Sequence, residues 1–117
     1  MDEIIINGKK YVEAGAAPAE KLDDMPYCII RTYSAGVFAG YVQSREGKEA
    51  VIRKARCLYY WDGAATLMQL AKSGVTQPNN CKFTVAVDEV TVTEAIEIIP
   101  CTLDAQLNIA EVPEWKV

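Results

Sequence analysis

The stretch from residue 26 to residue 61 constrains the fold more than any other part of this 117-residue chain. An apolar run at residues 27–30 leads into a polar segment at residues 31–34, and Gly36 separates both from a second, alternating apolar run. This order is typical of a strand, a tight turn and a second strand. A period of two places Tyr27, Ile29, Arg31 and Tyr33 on one face of the first strand and Cys28, Ile30, Thr32 and Ser34 on the other.

The first 25 residues predict a small module in front of the main domain. Asn7 and Gly8 supply the two positive φ angles of a type I′ turn between two short strands. Residues 14–25 are mostly small or charged, which is typical of a linker or a short helix. We therefore divide the chain into an N-terminal hairpin with its linker, residues 1–25, and an α+β ligand-binding domain, residues 26–117.

The second half of the chain contains the helix signals. Residues 62–74 predict a central helix with Asp62 as its cap. Its predicted buried stripe consists of Ala64, Leu67, Met68 and Ala71. Alternation predicts strands at residues 82–87 and 90–99, and a short C-terminal helix follows at residues 103–110 with a threonine as its cap. The predicted fold class is α+β, with a mostly antiparallel β-sheet, one central helix, a short C-terminal helix and the N-terminal hairpin.

Composition narrows the class of protein. Half of the residues are hydrophobic, and no apolar run reaches the roughly 20 residues of a membrane span. We therefore expect a folded protein of the cytoplasm with no membrane partner. A net charge of −4 disfavours binding to long nucleic acids. Residues 43–56 nevertheless carry five basic residues against two acidic ones, which indicates either a solvated hairpin face or a local anion site.

Two residue types limit the chemistry. The chain has no histidine, which removes the commonest general base and the commonest metal ligand near neutral pH. Its four cysteines are far apart in sequence and lie mostly in apolar runs, which favours buried thiols over a nucleophile or a disulfide. Since the sequence also lacks a phosphate-binding loop, we expect no catalytic residue, no metal site and no cofactor.

An aromatic and basic set near the predicted turn is the candidate site. Aromatic faces stack on nucleotide bases and arginine forks bind phosphates, so a small nucleotide needs both kinds of side chain. The predicted ligand-binding residues are Arg31, Thr32, Tyr33, Ser34, Arg56, Tyr60, Trp61 and Glu94. In the competing interpretation, Tyr59 and Trp61 fill the core while Tyr60 points outward.

Glu94 and Trp115 need surroundings that the sequence does not identify. Alternation places Glu94 on the apolar face of the predicted strand, where an unpaired carboxylate would be costly. Either a bulge turns this side chain to water, or Arg31 or Arg56 pairs with it and is oriented toward a ligand. Trp115 and the N-terminal hairpin each need a partner surface, which favours self-association.

Four separated blocks resemble a family of small phage and prophage proteins of unknown function. They are residues 27–40 (YCIIRTYSAGVFAG), 44–49 (SREGKE), 60–64 (YWDGA) and 93–101 (TEAIEIIPC). The resemblance covers residues 26–117 and implies no particular activity. In size, phage setting and aromatic-basic set, the chain is also similar to the anti-Thoeris sponge family. That resemblance implies an oligomer that sequesters cyclic ADP-ribose signals, or cyclic oligonucleotides, without cleaving them.

The leading interpretation is therefore a phage immune-evasion protein that is not an enzyme. It would bind a small cyclic nucleotide at the interface of a homo-oligomer in the host cytoplasm. The alternative is a phage structural or protein-interaction subunit with no small-molecule ligand, in which the aromatic residues form core and interface. An enzyme comes third, because it would need chemistry without histidine.

Overall fold

The computed structural model describes residues 17–117, together with the backbone of two earlier strands, β1 (Glu3–Ile6) and β2 (Lys9–Val12). These strands pair antiparallel with Ile6 opposite Lys9, so the strands of the predicted N-terminal hairpin are confirmed. The turn at residues 7–8 and residues 14–16 of the predicted linker lie outside the described residues.

An antiparallel sheet and two helices form the rest of the described chain. The strands are β3 (Tyr27–Thr32), β4 (Val37–Glu46), β5 (Glu49–Tyr60), β6 (Lys82–Phe83), β7 (Val87–Val92) and β8 (Ala95–Pro100). The helices are α1 (Leu67–Ser73) and α2 (Leu103–Glu111), and a 3-10 turn covers Pro78–Asn80. The α+β class with a mostly antiparallel sheet is confirmed. Helix α1 lies within the region of the predicted central helix, and it contacts the C-terminal helix α2.

The strand order makes the sheet curl. Hydrogen-bonded neighbours follow the order β6-β5-β4-β3-β8, and β7 pairs with the first half of β5 while β6 pairs with its second half. The pairing of β4 with β5 shifts register near Lys54, which adopts a φ of +50°. Such an irregularity bends a strand and increases its twist. Because β7 and β8 follow each other in the chain and lie at opposite sides of β3, β4 and β5, the sheet closes partly on itself.

Two separate hydrophobic cores lie on the two faces of this sheet. The helix-covered core consists of Tyr27, Ile29, Ala39, Leu58, Leu70, Ala71, Val75, Phe83, Cys101, Ala105, Ile109 and Val112. The sheet-only core consists of Cys28, Ile30, Ala50, Ile52, Ala55 and Val92, all from strands. The predicted alternation in β3 is therefore confirmed, with the addition that both of its faces are buried.

The predicted central helix begins later than expected. Thr66, and not Asp62, caps α1, because the Thr66 hydroxyl accepts a hydrogen bond from the Gln69 N–H at 3.1 Å. The later start leaves Leu70 and Ala71 as the buried residues of the helix. Met68 is 57% exposed, so its predicted place in the core is wrong.

The predicted long strand at residues 90–99 is divided. Thr93 and Glu94 separate β7 from β8, and the two strands pair with different neighbours. The strand predicted at residues 82–87 is confirmed only at Lys82 and Phe83. The C-terminal helix is confirmed as α2, capped by Thr102, whose hydroxyl accepts from the Ala105 N–H at 3.2 Å.

Residues 17–26, the described part of the segment before β3, lie against the start of α2 and form no helix. Ala17 accepts a backbone hydrogen bond from Leu103 at 2.8 Å, and Ala19 donates one to Cys101 at 3.1 Å. Further along, the amide of Gln106 bonds to both backbone polar groups of Glu20. These contacts hold residues 17–25 on the folded domain. No helix in the described part of the chain is long and apolar enough to cross a membrane.

Candidate functional site

Thr32 closes the turn between β3 and β4. Its hydroxyl donates to the Gly36 carbonyl at 2.7 Å and accepts from the Ala35 N–H at 2.9 Å. Gly36 has a φ of +95°, which a residue with a side chain rarely adopts. Thr32 itself is buried, so its hydroxyl supports the turn from inside. The turn therefore presents Tyr33 and Ser34 at the surface.

Glu94 fixes this turn to the connection between β7 and β8. Its carbonyl accepts from the Tyr33 N–H at 2.9 Å, and its carboxylate accepts from the Ser34 hydroxyl at 2.7 Å. Glu94 is exposed, and no ion pair with a basic residue is found for it within the described chain. The hypothesis that Glu94 orients an arginine is therefore wrong, and the interruption between the two strands accounts for its position.

A cavity of about 350 Å³ opens beside this turn. It is lined by Ser34, Ala35, Gly36, Val37, Cys57, Leu58, Tyr59 and Trp61, and we call it the turn cavity. Its floor is largely apolar, and Val37, Leu58 and Trp61 connect it to the helix-covered core. Two of the predicted site residues, Ser34 and Trp61, thus meet at one cavity although they are far apart in sequence.

An exposed aromatic pair extends from the turn cavity. Tyr59 stacks on Trp115 with ring centroids 5.0 Å apart and an interplanar angle of 21°. The ammonium of Lys82 lies 5.3 Å from the Trp115 ring centroid, within cation–π range. The backbone N–H of Trp115 donates to the Phe83 carbonyl at 2.8 Å and so holds the C-terminal segment against β6. Trp115 therefore has a partner within its own chain, which removes one argument for self-association.

Three other predicted site residues are exposed and do not line the turn cavity. Tyr33 is 77% exposed, and Tyr60 is half exposed near the end of β5. Arg31 is exposed at the end of β3, with one of its nitrogens 3.9 Å from the Glu97 carboxylate. Their ligand-binding roles remain predictions.

Arg56 occupies a different place from the other predicted site residues. It is only 7% exposed, and its guanidinium donates to the carbonyls of Thr84, Ile109, Phe83 and Val112 at 2.6–3.3 Å. It also lies 5.5 Å from the Phe83 ring centroid. Burial lowers the pKa of this guanidinium, although an arginine remains protonated in proteins. Arg56 thus joins β5 and β6 to the end of α2.

The cysteines follow the expectation of buried thiols only in part. Cys28 and Cys101 are buried, whereas Cys57 and Cys81 are partly exposed, and all four are free thiols. Burial raises the pKa of Cys57, which lines the turn cavity. This thiol is therefore largely protonated near neutral pH, and a protonated thiol is a poor nucleophile.

Sequence patterns did not associate Lys82 and Trp115 with the site. The only signal was a tryptophan in a polar tail, which indicated a partner surface without identifying it. The bridge between Phe83 and Glu114 that places Trp115 is a tertiary contact with no local pattern. Tyr59 was recognised as one of a group of aromatic residues, but a strand pattern alone does not tell which of them faces a cavity.

Comparison with known proteins identifies a family. Neither a curated protein nor a solved structure matches this chain. A family model described as a domain of unknown function matches residues 25–109. The matched region contains every residue that lines the turn cavity, as well as Lys82, and it ends before Trp115. The match covers most of the chain, and the protein therefore belongs to this family, DUF6948.

Proposed function

We propose that this protein binds a small cyclic nucleotide in the turn cavity and sequesters it without cleaving it. The observation that carries the proposal is the junction of an apolar cavity of about 350 Å³ with an exposed, stacked aromatic pair and a lysine. The anti-defence role in an infected host cytoplasm comes from the sequence resemblance to phage proteins and to the sponge family.

The size of the cavity favours partial burial of such a ligand. Small-molecule sites usually have volumes of about 300–1,000 Å³, and the turn cavity is at the lower end of that range. One nucleoside unit fits this space, while a second unit of a cyclic dinucleotide would lie over Tyr59 and Trp115. A base that stacks on such an aromatic side chain gains about 1–3 kcal/mol. Lys82 then supplies positive charge for a phosphate.

The lining of the turn cavity favours binding over cleavage. The Ser34 hydroxyl donates a hydrogen bond to the Glu94 carboxylate, which as a class of group is a much weaker base than an imidazole, and the chain contains no histidine. The Cys57 thiol has its pKa raised by burial. Neither candidate nucleophile is thus strongly activated, which supports binding of the ligand without cleavage.

Self-association is part of the same proposal. Tyr33 and Tyr60 project from the turn and from the end of β5, and they remain largely exposed. In a homo-oligomer, a second copy would cover these side chains and enclose a ligand held in the turn cavity. Light scattering of the full chain at micromolar concentration tests this part, and a clean monomer in the presence of a bound ligand would contradict it.

Isothermal titration with cyclic ADP-ribose isomers and cyclic oligonucleotides tests the binding function. We expect saturable binding of at least one of them, with the intact ligand recovered by chromatography after the protein is denatured. Tyr59→Ala removes the ring that connects the cavity to Trp115, and it should weaken binding by about tenfold or more. Met68→Ala is the matched control, because it truncates another exposed apolar side chain, on α1. Recovery of a cleaved product would indicate an enzyme instead.

A structural or protein-interaction subunit is the second candidate function. Val85 and Val87 are exposed at the start of β7, and Ile96 is exposed on β8. Each of these strands has one hydrogen-bonded neighbour among the described strands. An interaction subunit would use the other edge of each strand, together with these exposed side chains, to bind a partner. It would give no heat with any nucleotide in the titration above, and the wild type and Tyr59→Ala would behave alike.

A further inference from the structure

A second cavity, of about 250 Å³, is lined in part by Arg56. Strands β3, β4 and β5 and the end of α2 contribute to it. Its polar lining consists of Tyr27, Tyr41, Lys54, Arg56 and Glu114, and Val112 is among its apolar residues. We call it the tyrosine cavity. It shares no residue with the turn cavity.

Tyr27 lines the tyrosine cavity, and its hydroxyl forms no hydrogen bond within the described chain. The residue is 8% exposed, and its ring meets the Tyr41 ring edge to face at 5.1 Å. The described residues contain no fully enclosed side-chain polar atom without a partner, so this hydroxyl is accessible from the cavity and free to bind an occupant. Burial raises the pKa of Tyr27 well above its ordinary value, so the group remains a neutral hydrogen-bond donor. The Tyr41 hydroxyl accepts from Gln106 at 3.2 Å, which leaves its own proton available.

The charges around the cavity favour a negatively charged occupant. Four of the five N–H groups of Arg56 are used by carbonyls, and no carboxylate within the described residues forms an ion pair with its guanidinium. Lys54 adds a second positive charge at the rim, where its φ of +50° marks the irregular step in β5. Glu114 is the carboxylate of the lining, and Lys116 lies 3.3 Å from it. The cavity therefore combines a net positive lining with unpaired donors.

We propose that the tyrosine cavity is a binding site for a small oxyanion, a carboxylate or a phosphate group. Its oxygens accept hydrogen bonds from the Tyr27 hydroxyl and from the remaining N–H of Arg56, and Lys54 pairs with it at the rim. Val112 contacts the apolar part of an organic anion. This site is independent of the nucleotide proposed for the turn cavity.

Thermal unfolding and isothermal titration of the full chain test this site. The probes are inorganic phosphate and benzoate, each compared with sodium chloride at the same ionic strength. We expect at least one of the two anions to raise the melting temperature and to bind saturably. Preference for benzoate identifies a carboxylate site, and preference for phosphate identifies a phosphate site. If neither anion binds more tightly than chloride at millimolar concentration, the proposal is wrong.

Two variants assign the binding to this cavity. Tyr27→Phe removes only the hydroxyl and should weaken binding by about tenfold. Lys54→Gln keeps the length of the side chain and should weaken it by about threefold. Lys72→Gln, on α1, is the matched control for the loss of one positive charge and should bind like the wild type. Wild-type affinity in both Tyr27→Phe and Lys54→Gln would overturn the proposal. If Tyr27→Phe does not fold, the affinity of Lys54→Gln for the anion tests the proposal by itself.

Discussion

The helix-covered core and the sheet-only core share β3, β4 and β5 but differ in how they are closed. Helices α1 and α2 cover the first core through side chains, and Arg56 and Gln106 lie buried at its margin. The second core contains no helical residue and is enclosed by the curl of the sheet. Both cavities proposed as ligand sites lie beside the helix-covered core, since Leu58 lines one and Tyr27 lines the other.

This difference has a physical cause. A sheet that curls on itself is closed by backbone hydrogen bonds between neighbouring strands, and its interior then admits side chains only. Helices meet a sheet through side chains of unequal size, which leaves gaps where the helices end. At the end of α2 such a gap is bridged by a charged residue, Arg56, which bonds to carbonyls of Ile109 and Val112. The two cores should therefore respond differently to substitution.

Arg56→Ala should have the largest effect on stability. It removes four hydrogen bonds to backbone carbonyls. The Phe83 and Ile109 carbonyls keep a backbone donor, whereas those of Thr84 and Val112 lose the guanidinium donor, and unsatisfied buried acceptors are costly. We expect the free energy of unfolding to fall by about 3–5 kcal/mol, measured by urea denaturation. Arg31→Ala is the matched control, since Arg31 is exposed and its contact with Glu97 is 3.9 Å long. The control should lose less than about 1 kcal/mol. Similar losses in both variants would mean that Arg56 does not hold the helix-covered core together.

Gly40→Ala is the corresponding test of packing beside the sheet-only core. A Cβ at this position would lie 2.6 Å from the Ile52 Cγ2 and 2.9 Å from the Arg53 carbonyl oxygen, where β4 crosses the irregular part of β5. We expect a loss of about 1–3 kcal/mol in urea denaturation, because one of the close atoms belongs to the backbone and cannot move aside cheaply.

The control for Gly40 lies in the turn between β4 and β5. Gly47 has a φ of +60°, and a Cβ there would meet no atom within 4 Å. Asparagine tolerates this conformation, so Gly47→Asn should change stability by less than about 0.5 kcal/mol. If Gly40→Ala is equally harmless, the two strands are not as closely packed as the structure indicates.

Local sequence patterns predicted the parts of the fold that depend on local physics. The face assignment in β3 follows from the period of two, and the cap of α2 follows from Thr102. The start of α1 was misplaced because Asp62 and Thr66 are both competent caps, and tertiary packing selects between them. Met68 was then assigned to the wrong face.

Tertiary contacts explain the rest of the discrepancies. Glu94 was recognised as misplaced in an apolar pattern, but its partner, Ser34, is 60 residues away. Arg56 was grouped with Ser34 and Trp61 in one ligand site, whereas it does not line the turn cavity and four backbone carbonyls surround it. No pattern in a single sequence distinguishes a carboxylate or phosphate partner from a carbonyl partner. Ser34 and Trp61 were predicted to share a site, and the structure brings both to the turn cavity.

Thiol labelling tests whether the two cores open separately. Cys28 belongs to the sheet-only core and Cys101 to the helix-covered core, and burial raises the pKa of Cys28 to about 11 and that of Cys101 to about 12. Both thiols therefore react only when their surroundings open. In Arg56→Ala without denaturant, Cys101 labelling by a disulfide reagent should accelerate by about tenfold more than Cys28 labelling. Peptide mapping by mass spectrometry separates the two sites. Equal acceleration would show that both cores open as one cooperative unit.

The hydrogen bond between Ser34 and Glu94 should have the smallest effect on stability, because both residues are exposed. Ser34→Ala should cost about 0.5–1 kcal/mol in urea denaturation, and a double-mutant cycle with Glu94→Ala should give a coupling of similar size. The backbone bond from Tyr33 to Glu94 persists in both variants, so the turn stays attached to the connection between β7 and β8. Ligand binding in the turn cavity should nevertheless weaken, since the Ser34 hydroxyl is one of the polar groups of its lining. A Ser34→Ala variant that binds cyclic nucleotides like the wild type would place the ligand on Tyr59 and Trp115 alone, outside the turn.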